Sequence, residues 1–243
     1  MKTIKFLALI MTLFFTAIQL NAQWEVNCES DCDVAPALRD TTFYHPNFPN
    51  CPIFVEYYFR KCPNGKVEII TNRIAWGTGS GCAGLEAWLQ TPGSEFSNSD
   101  LLWVMAYRAA AEHDFMTRYK RQLLINEGFL LECPNGSLSY EFHRAQCVKF
   151  CAYDDSFAQQ SWLQQIVCNA NACCKIERRI CFNTTTQQME ITEIRTQENQ
   201  GANCETTIIL CPASIVVGQG STTGPRTIPL NPNFSTECGV PCD

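Results

Sequence analysis

The sequence predicts an α+β protein in which antiparallel β-hairpins pack against two main helices in a disulfide-rich chain. Three observations support this fold class: Asn-Gly turn signals between apolar segments, two capping-box patterns, and 16 cysteines in 243 residues. An Asn-Gly turn indicates an antiparallel hairpin because both central residues of a type I′ turn need a positive φ.

Two helices are predicted from caps followed by apolar residues at helical spacing. The first covers about residues 98–126, and its apolar stripe comprises Leu102, Met105, Ala109, Met116 and Leu123. The second covers about residues 157–170, and its apolar face comprises Trp162, Leu163, Ile166 and Val167. A further short helix is predicted at residues 85–89.

His113 is the most conspicuous candidate for chemistry, because acidic residues flank it on both sides. Neighbours in sequence point to different faces of a helix, so the three side chains do not converge. His113 also falls between Ala109 and Met116 on the predicted stripe, which favours a buried or boundary histidine with a structural role.

Three hairpins are predicted, two of them around a Cys-Pro-Asn-Gly turn and the third around a longer polar turn. Their paired segments are residues 54–61 with 67–76, residues 129–132 with 138–143, and residues 175–180 with 188–195. The first and third also share a spacing, since Arg follows Glu by five residues and Cys follows it by fourteen. The matching sets are Glu68, Arg73 and Cys82, and Glu190, Arg195 and Cys204.

This spacing suggests a degenerate internal repeat, and chance similarity among short β-rich segments is the alternative. A true repeat requires Cys82 and Cys204 to bond to equivalent cysteines. Cys62 and Cys181 are the nominal partners, with Cys51 and Cys174 as the nearest alternatives.

The chain is predicted to divide into three parts. Residues 1–22 form a secretory signal peptide, with Lys2 and Lys5 ahead of a short apolar segment and a small residue at the cleavage site. Residues 23–217 form a disulfide-stapled α+β domain. Residues 218–243 form a Gly-, Thr- and Pro-rich arm with little regular structure, tied to the body by its cysteines.

All the cysteines follow the signal segment, and an even number of them in an exported chain predicts a disulfide framework. They are Cys28, Cys32, Cys51, Cys62, Cys82, Cys133, Cys147, Cys151, Cys168, Cys173, Cys174, Cys181, Cys204, Cys211, Cys238 and Cys242. The adjacent pair 173 and 174 must bond to different places or leave a thiol free. Zinc is disfavoured because the spacing lacks paired Cys-x2-Cys knuckles with matching histidines.

The charge and hydropathy limit the classes of partner. Removing Lys2 and Lys5 leaves 16 basic and 24 acidic residues, a net charge of −8. An acidic chain without a basic stripe is repelled by phosphate backbones, so nucleic acid is not an expected partner. No segment after residue 22 has the apolar length of a transmembrane helix. No cofactor and no metal site is predicted.

Four aromatic residues are the candidate ligand-binding residues: Tyr44, Phe48, Tyr57 and Tyr58. Exposed aromatic side chains in loops bind proteins and glycans, although large aromatic residues more often fill cores. The sequence therefore predicts a non-enzymatic, exported binding or structural module whose partner is an extracellular protein or glycan. The alternative is an extracellular hydrolase whose acidic residues come from distant positions, because paired carboxylates need no local motif.

Overall fold

The computed structural model describes residues 32–125, 131–198, 204, 209–217 and 225–240. The predicted signal peptide, Cys28 and Cys242 lie outside these ranges.

The described residues contain eight strands and two helices. The strands are β1 (Ala37–His45), β2 (Phe48–Lys61), β3 (Val67–Gly77), β4 (Leu138–Asp155), β5 (Gln160–Asn183), β6 (Gln188–Glu198), β7 (Ser214–Val217) and β8 (Arg226–Ser235), and the helices are α1 (Ala83–Leu89) and α2 (Glu95–Ile125). Antiparallel pairing dominates, and the sheet curls into a half-barrel. Its strand order is β1-β2-β3-β5-β4-β8-β7, and β6 pairs with the other end of β5.

Helix α2 packs on one face of this sheet and forms the main core with it. The ring of Tyr107 stacks on Phe142 of β4 with centroids 4.6 Å apart, and Trp103 meets Phe150 at 5.7 Å. Ion pairs also join α2 to strands on both sides of it. Arg39 of β1 pairs with Asp114, and Glu193 of β6 pairs with Arg108. The helix is therefore held across almost the full width of the sheet.

The first predicted helix is confirmed, but its buried face is not the predicted stripe. Leu102 is buried, whereas Met105, Ala109 and Met116 are only partly buried and Leu123 is 45% exposed. Because the curled sheet covers a broad sector of the helix, adjacent pairs such as Ala110 and Ala111 are buried together. His113 lies outside this sector and is exposed, so the interpretation of it as a buried or boundary histidine is wrong.

The second predicted helix, residues 157–170, is wrong. Its first residues form the turn of the β4–β5 hairpin, in which the Asp155 carboxylate accepts hydrogen bonds from the backbone N–H groups of Phe157 and Ala158. The rest belongs to β5, where Trp162 and Ile166 contact one apolar cluster and Leu163 and Val167 contact another. Residues that are four apart in sequence lie on the same face of a strand, whose side chains alternate every two residues. They also lie on the same face of a helix, so the apolar pattern fits both elements. The predicted short helix is present as α1.

Two of the three predicted hairpins are confirmed. Strands β2 and β3 pair across the turn at Cys62, where Gly65 has a φ of +85°. Strands β5 and β6 pair without a break from Cys173–Glu198 to Asn183–Gln188. The middle hairpin does not form in the described part of the chain: Glu132 bridges to Phe182, and β4 pairs with β5 instead.

Six disulfides join described cysteines, as expected for an exported protein. The pairs are Cys32–Cys62, Cys51–Cys82, Cys133–Cys181, Cys147–Cys204, Cys151–Cys211 and Cys168–Cys238. Cys173 and Cys174 are also disulfide-bonded, so neither is a free thiol. The last three pairs fasten the C-terminal part of the chain onto the long β4–β5 hairpin.

The pairing contradicts the condition set for an internal repeat. Cys82 bonds to Cys51 in the first strand of its own hairpin, whereas Cys204 bonds to Cys147 in β4, outside the β5–β6 hairpin. The two partners are not equivalent. The shared Glu, Arg and Cys spacing is therefore coincidental.

The C-terminal arm has more regular structure than predicted. Strand β8 pairs with β7 on one side and touches β4 on the other, and Ile215, Val217 and Ile228 pack on Tyr153 and Trp162. The Cys168–Cys238 disulfide joins this segment to β5. Neither helix in the described part of the chain has the length and apolarity needed to cross a membrane.

Candidate binding site at a strand fork

Strand β3 changes its neighbour along its length, and this creates a fork in the sheet. Near its C-terminal end, residues Ile74 to Gly77 pair antiparallel with β5. Near its start, Val67 to Ile69 pair parallel with β4. Residues 70–73 lie between the two ladders and pair with neither β4 nor β5.

Irregular pairing in the neighbouring strands accompanies the fork. The β4–β5 ladder shifts register twice between Ala145 and Val148, and the β2–β3 ladder shifts beside Asn72. Such bulges bend a strand and increase its twist. The β4–β5 ribbon can therefore present β5 to one end of β3 and β4 to the other, and a space opens where the change occurs.

A cavity of about 290 Å³ occupies this fork. Its walls come from β3, β4, β5 and α2, and the lining residues are Ile70, Thr71, Asn72, Trp103, Phe142, His143, Arg144, Gln164, Gln165, Ile166 and Val167. Aromatic and aliphatic groups alternate with amides and a hydroxyl. This mixture is typical of sites for small ligands.

Three side-chain oxygens on the walls are buried and have no hydrogen-bond partner among the described residues: Thr71 Oγ1, Gln164 Oε1 and Gln165 Oε1. Thr71 is only 5% exposed. A buried polar atom without a partner costs about 1–3 kcal/mol, and most such atoms in native proteins are satisfied. Three such oxygens on one cavity are acceptors that a molecule entering the cavity can satisfy.

The charged groups of the cavity are engaged by neighbours. The Arg144 guanidinium donates to Asp100 of α2 at 2.5 Å. Burial raises the pKa of Asp100, although Arg144 and Arg195 oppose this, and burial lowers the pKa of Arg144. Asn72 donates to Glu56 at 2.5 Å.

A cluster of buried carboxylates lies beside the cavity, next to His143. The parallel register places Glu68 opposite Glu141, and a ligand atom from each of these and from His143 falls within 4.8 Å of the others. Basic side chains already neutralise both carboxylates, because Glu141 contacts Lys66 at 2.5 Å and Lys175 at 3.0 Å, and Glu68 contacts Arg60 at 2.5 Å. A metal ion would have to displace these cations to bind here.

The ionisation of Glu141 follows from those contacts. Burial alone would raise its pKa, but hydrogen bonds from His143, Lys66 and Lys175 outweigh burial and lower it to about 2. Glu141 is therefore an ionised member of a structural ion-pair network, and it has no proton to donate at neutral pH.

We expect Glu141→Gln to destabilise the protein by about 2 kcal/mol at pH 7, because it removes one partner of a buried charge network. The folded-state pKa lies below the ordinary value of 4.5, so the carboxylate stabilises the fold above pH 4.5 and loses this effect as the pH falls towards 2. Urea unfolding of both proteins at pH 7 and pH 3 should show the difference shrink at the lower pH. Exposed Glu190 on β6 provides the control, since Glu190→Gln should change stability by less than about 0.5 kcal/mol. A difference that is constant with pH would contradict this assignment.

The structure does not bring the four predicted aromatic residues together. Tyr44 is 58% exposed, and Phe48 packs on His45 and Trp88 with centroids 5.0 and 5.9 Å away. Tyr57 and Tyr58 are adjacent in β2, so their side chains point to opposite faces of the sheet. Tyr57 is 1% exposed in the core, where burial and Asp114 raise its pKa to about 12. Tyr58 is half-buried, and ligand binding through Tyr44, Phe48, Tyr57 or Tyr58 stays a prediction.

Sequence reasoning missed the cavity residues. The adjacent pair Gln164 and Gln165 interrupts an apolar segment, which was the available signal. The predicted apolar face of that segment does not include them, although the structure buries the side-chain oxygen of each. Thr71 carries no local signal, because threonine is common in strands.

Comparisons of the sequence with protein-family models and with curated proteins, and of the fold with solved structures, found no match.

Proposed function

We propose that this chain is an exported, non-enzymatic binding module that takes a small polar ligand into the fork cavity. The single observation that carries the proposal is the buried, unpartnered hydroxyl of Thr71 on the wall of a 290 Å³ cavity. A ligand that hydrogen-bonds to these wall oxygens satisfies acceptors that the described side chains do not. The disulfides support work outside the cytoplasm, since such bonds persist in oxidising compartments.

The hydrolase alternative has less support. It needs two facing carboxylates, one of them with a raised pKa so that it can donate a proton. Glu68 and Glu141 are adjacent, but the pKa of Glu141 is lowered and basic residues contact both. This arrangement favours a structural role for the pair.

Thr71→Val tests the proposal, because it removes the hydroxyl and nearly preserves the shape of the side chain. Without ligand we expect Thr71→Val to be as stable as the parent protein or more stable by about 1 kcal/mol, since an unpartnered polar atom is lost. A structural hydroxyl would give the opposite sign. Thermal unfolding of the parent should rise with at least one member of a panel of neutral sugars, carboxylates, amino acids and phosphorylated compounds, and Thr71→Val should lose that rise.

Thr192→Val is the matched control, because Thr192 is an exposed strand residue on β6 and should keep the response. Destabilisation by Thr71→Val without ligand, or a panel to which no compound binds, would contradict the proposal.

A further inference from the structure

We propose that the fork cavity binds a single neutral sugar ring, an inference that rests on the proposed binding function. The observation behind it is the chemistry of the wall: the side-chain oxygens that have no hydrogen-bond partner in the described structure belong to one hydroxyl and two amides, whereas Arg144 is paired with Asp100 and Asn72 with Glu56.

The wall selects against charge on the ligand. Arg144 is paired with Asp100, and Glu56 accepts hydrogen bonds from Asn72 and Arg73 at 2.5 Å each. Because Asp100 already balances the charge of Arg144, an anionic ligand gains no unbalanced cation by entering beside these pairs. A neutral ligand leaves all of them intact.

The unpartnered oxygens select for a ligand rich in hydroxyl donors. Thr71 Oγ1 can accept and donate, and the Oε1 atom of each glutamine can accept from a ligand hydroxyl. Neighbouring hydroxyls on a sugar ring present several donors side by side, so one ring can reach more than one of these oxygens. A site built to bond hydroxyls rejects an analogue without them by a large factor.

The apolar part of the wall and the volume of the cavity indicate the shape and size of the ligand. Trp103, Phe142 and Ile166 supply surfaces for the C–H groups of a ring. Ligand sites commonly range from about 300 to 1,000 Å³, so a cavity of about 290 Å³ matches the size of a single ring.

Isothermal titration calorimetry of the full mature protein tests the proposal. The probes are glucose, galactose, mannose and N-acetylglucosamine, with tetrahydropyran as a ring without hydroxyls and glucuronate as a charged ring. We expect at least one neutral sugar to bind, tetrahydropyran not to bind, and glucuronate to bind at least tenfold more weakly than the sugar that fits.

Gln165→Leu should weaken sugar binding at least tenfold, because leucine keeps most of the volume and removes the amide. Gln188→Leu, at an exposed position on β6, is the matched control and should bind as the parent does. If Gln165→Leu does not fold, as judged by its unfolding transition, Gln164→Leu makes the same test from the adjacent position.

The outcomes separate the two proposals. A charged compound or an amino acid that binds in a Thr71-dependent manner, while no neutral sugar binds, overturns the sugar assignment and leaves the binding function standing. Binding of no probe, with only water in the cavity, overturns both. Sugar binding that survives both Thr71→Val and Gln165→Leu places the ligand elsewhere and overturns the site.

Discussion

Replacing Cys133 and Cys181 together by alanine is expected to destabilise the protein by about 4 kcal/mol and to lower its melting temperature by roughly 12 °C. The bond closes a loop of 48 residues, and its loss returns that loop's conformational freedom to the unfolded chain. Both cysteines are only partly buried, so lost packing adds little. Chemical unfolding followed by circular dichroism measures the change.

The single variants provide the internal control. Cys133→Ala and Cys181→Ala each break the same bond, so each should cost about as much as the double variant. Two smaller losses that add up to the loss in the double variant would show that the two cysteines act independently and would contradict the pairing.

Asp114→Ala is expected to cost about 3 kcal/mol, the second large effect. The buried carboxylate accepts hydrogen bonds from Arg39 at 3.0 Å, from Arg118 at 2.6 Å and from the Tyr140 hydroxyl at 3.0 Å. Its removal leaves a fully buried tyrosine hydroxyl without this partner and two arginines without their counter-charge.

The neighbouring residue gives the control. His113→Ala should change stability by less than about 0.5 kcal/mol, because His113 is exposed. Thermal and urea unfolding of the two variants should therefore differ widely for adjacent positions. Equal losses would mean that the orientation of α2 against β1 and β4 is incorrect.

The elements predicted correctly are those specified by local chemistry. Gly65 terminates a turn that needs a positive φ, and α2 is a long segment without Gly or Pro, although it begins at Glu95 and not at the predicted residue 98. The disulfide framework followed from the number of cysteines, but its connectivity did not. Bonds such as Cys168–Cys238 span 70 residues and depend on where the strands lie.

The candidate site could not be predicted because it is made by pairing between distant strands. Thr71 and Gln165 are 94 residues apart in sequence, and they line one cavity only because β3 exchanges β5 for β4 as its neighbour. The spacing of Trp162 and Ile166 also fits a helix, so the segment that carries both glutamines was assigned to the wrong element. The local sequence fits the period of a helix and that of a strand equally well, and pairing with β4 makes this segment a strand.

The side-chain amide resonances of Gln164 and Gln165 in ¹⁵N-labelled protein test the central claim most directly. During titration with the neutral sugars, we predict that these resonances and the indole N–H of Trp103 shift together and saturate, while the side-chain amide of exposed Gln188 does not move. Shifts confined to residues around Tyr44 and Phe48, with Gln164, Gln165 and Trp103 unchanged, would contradict the account. They would place binding at the turn between β1 and β2.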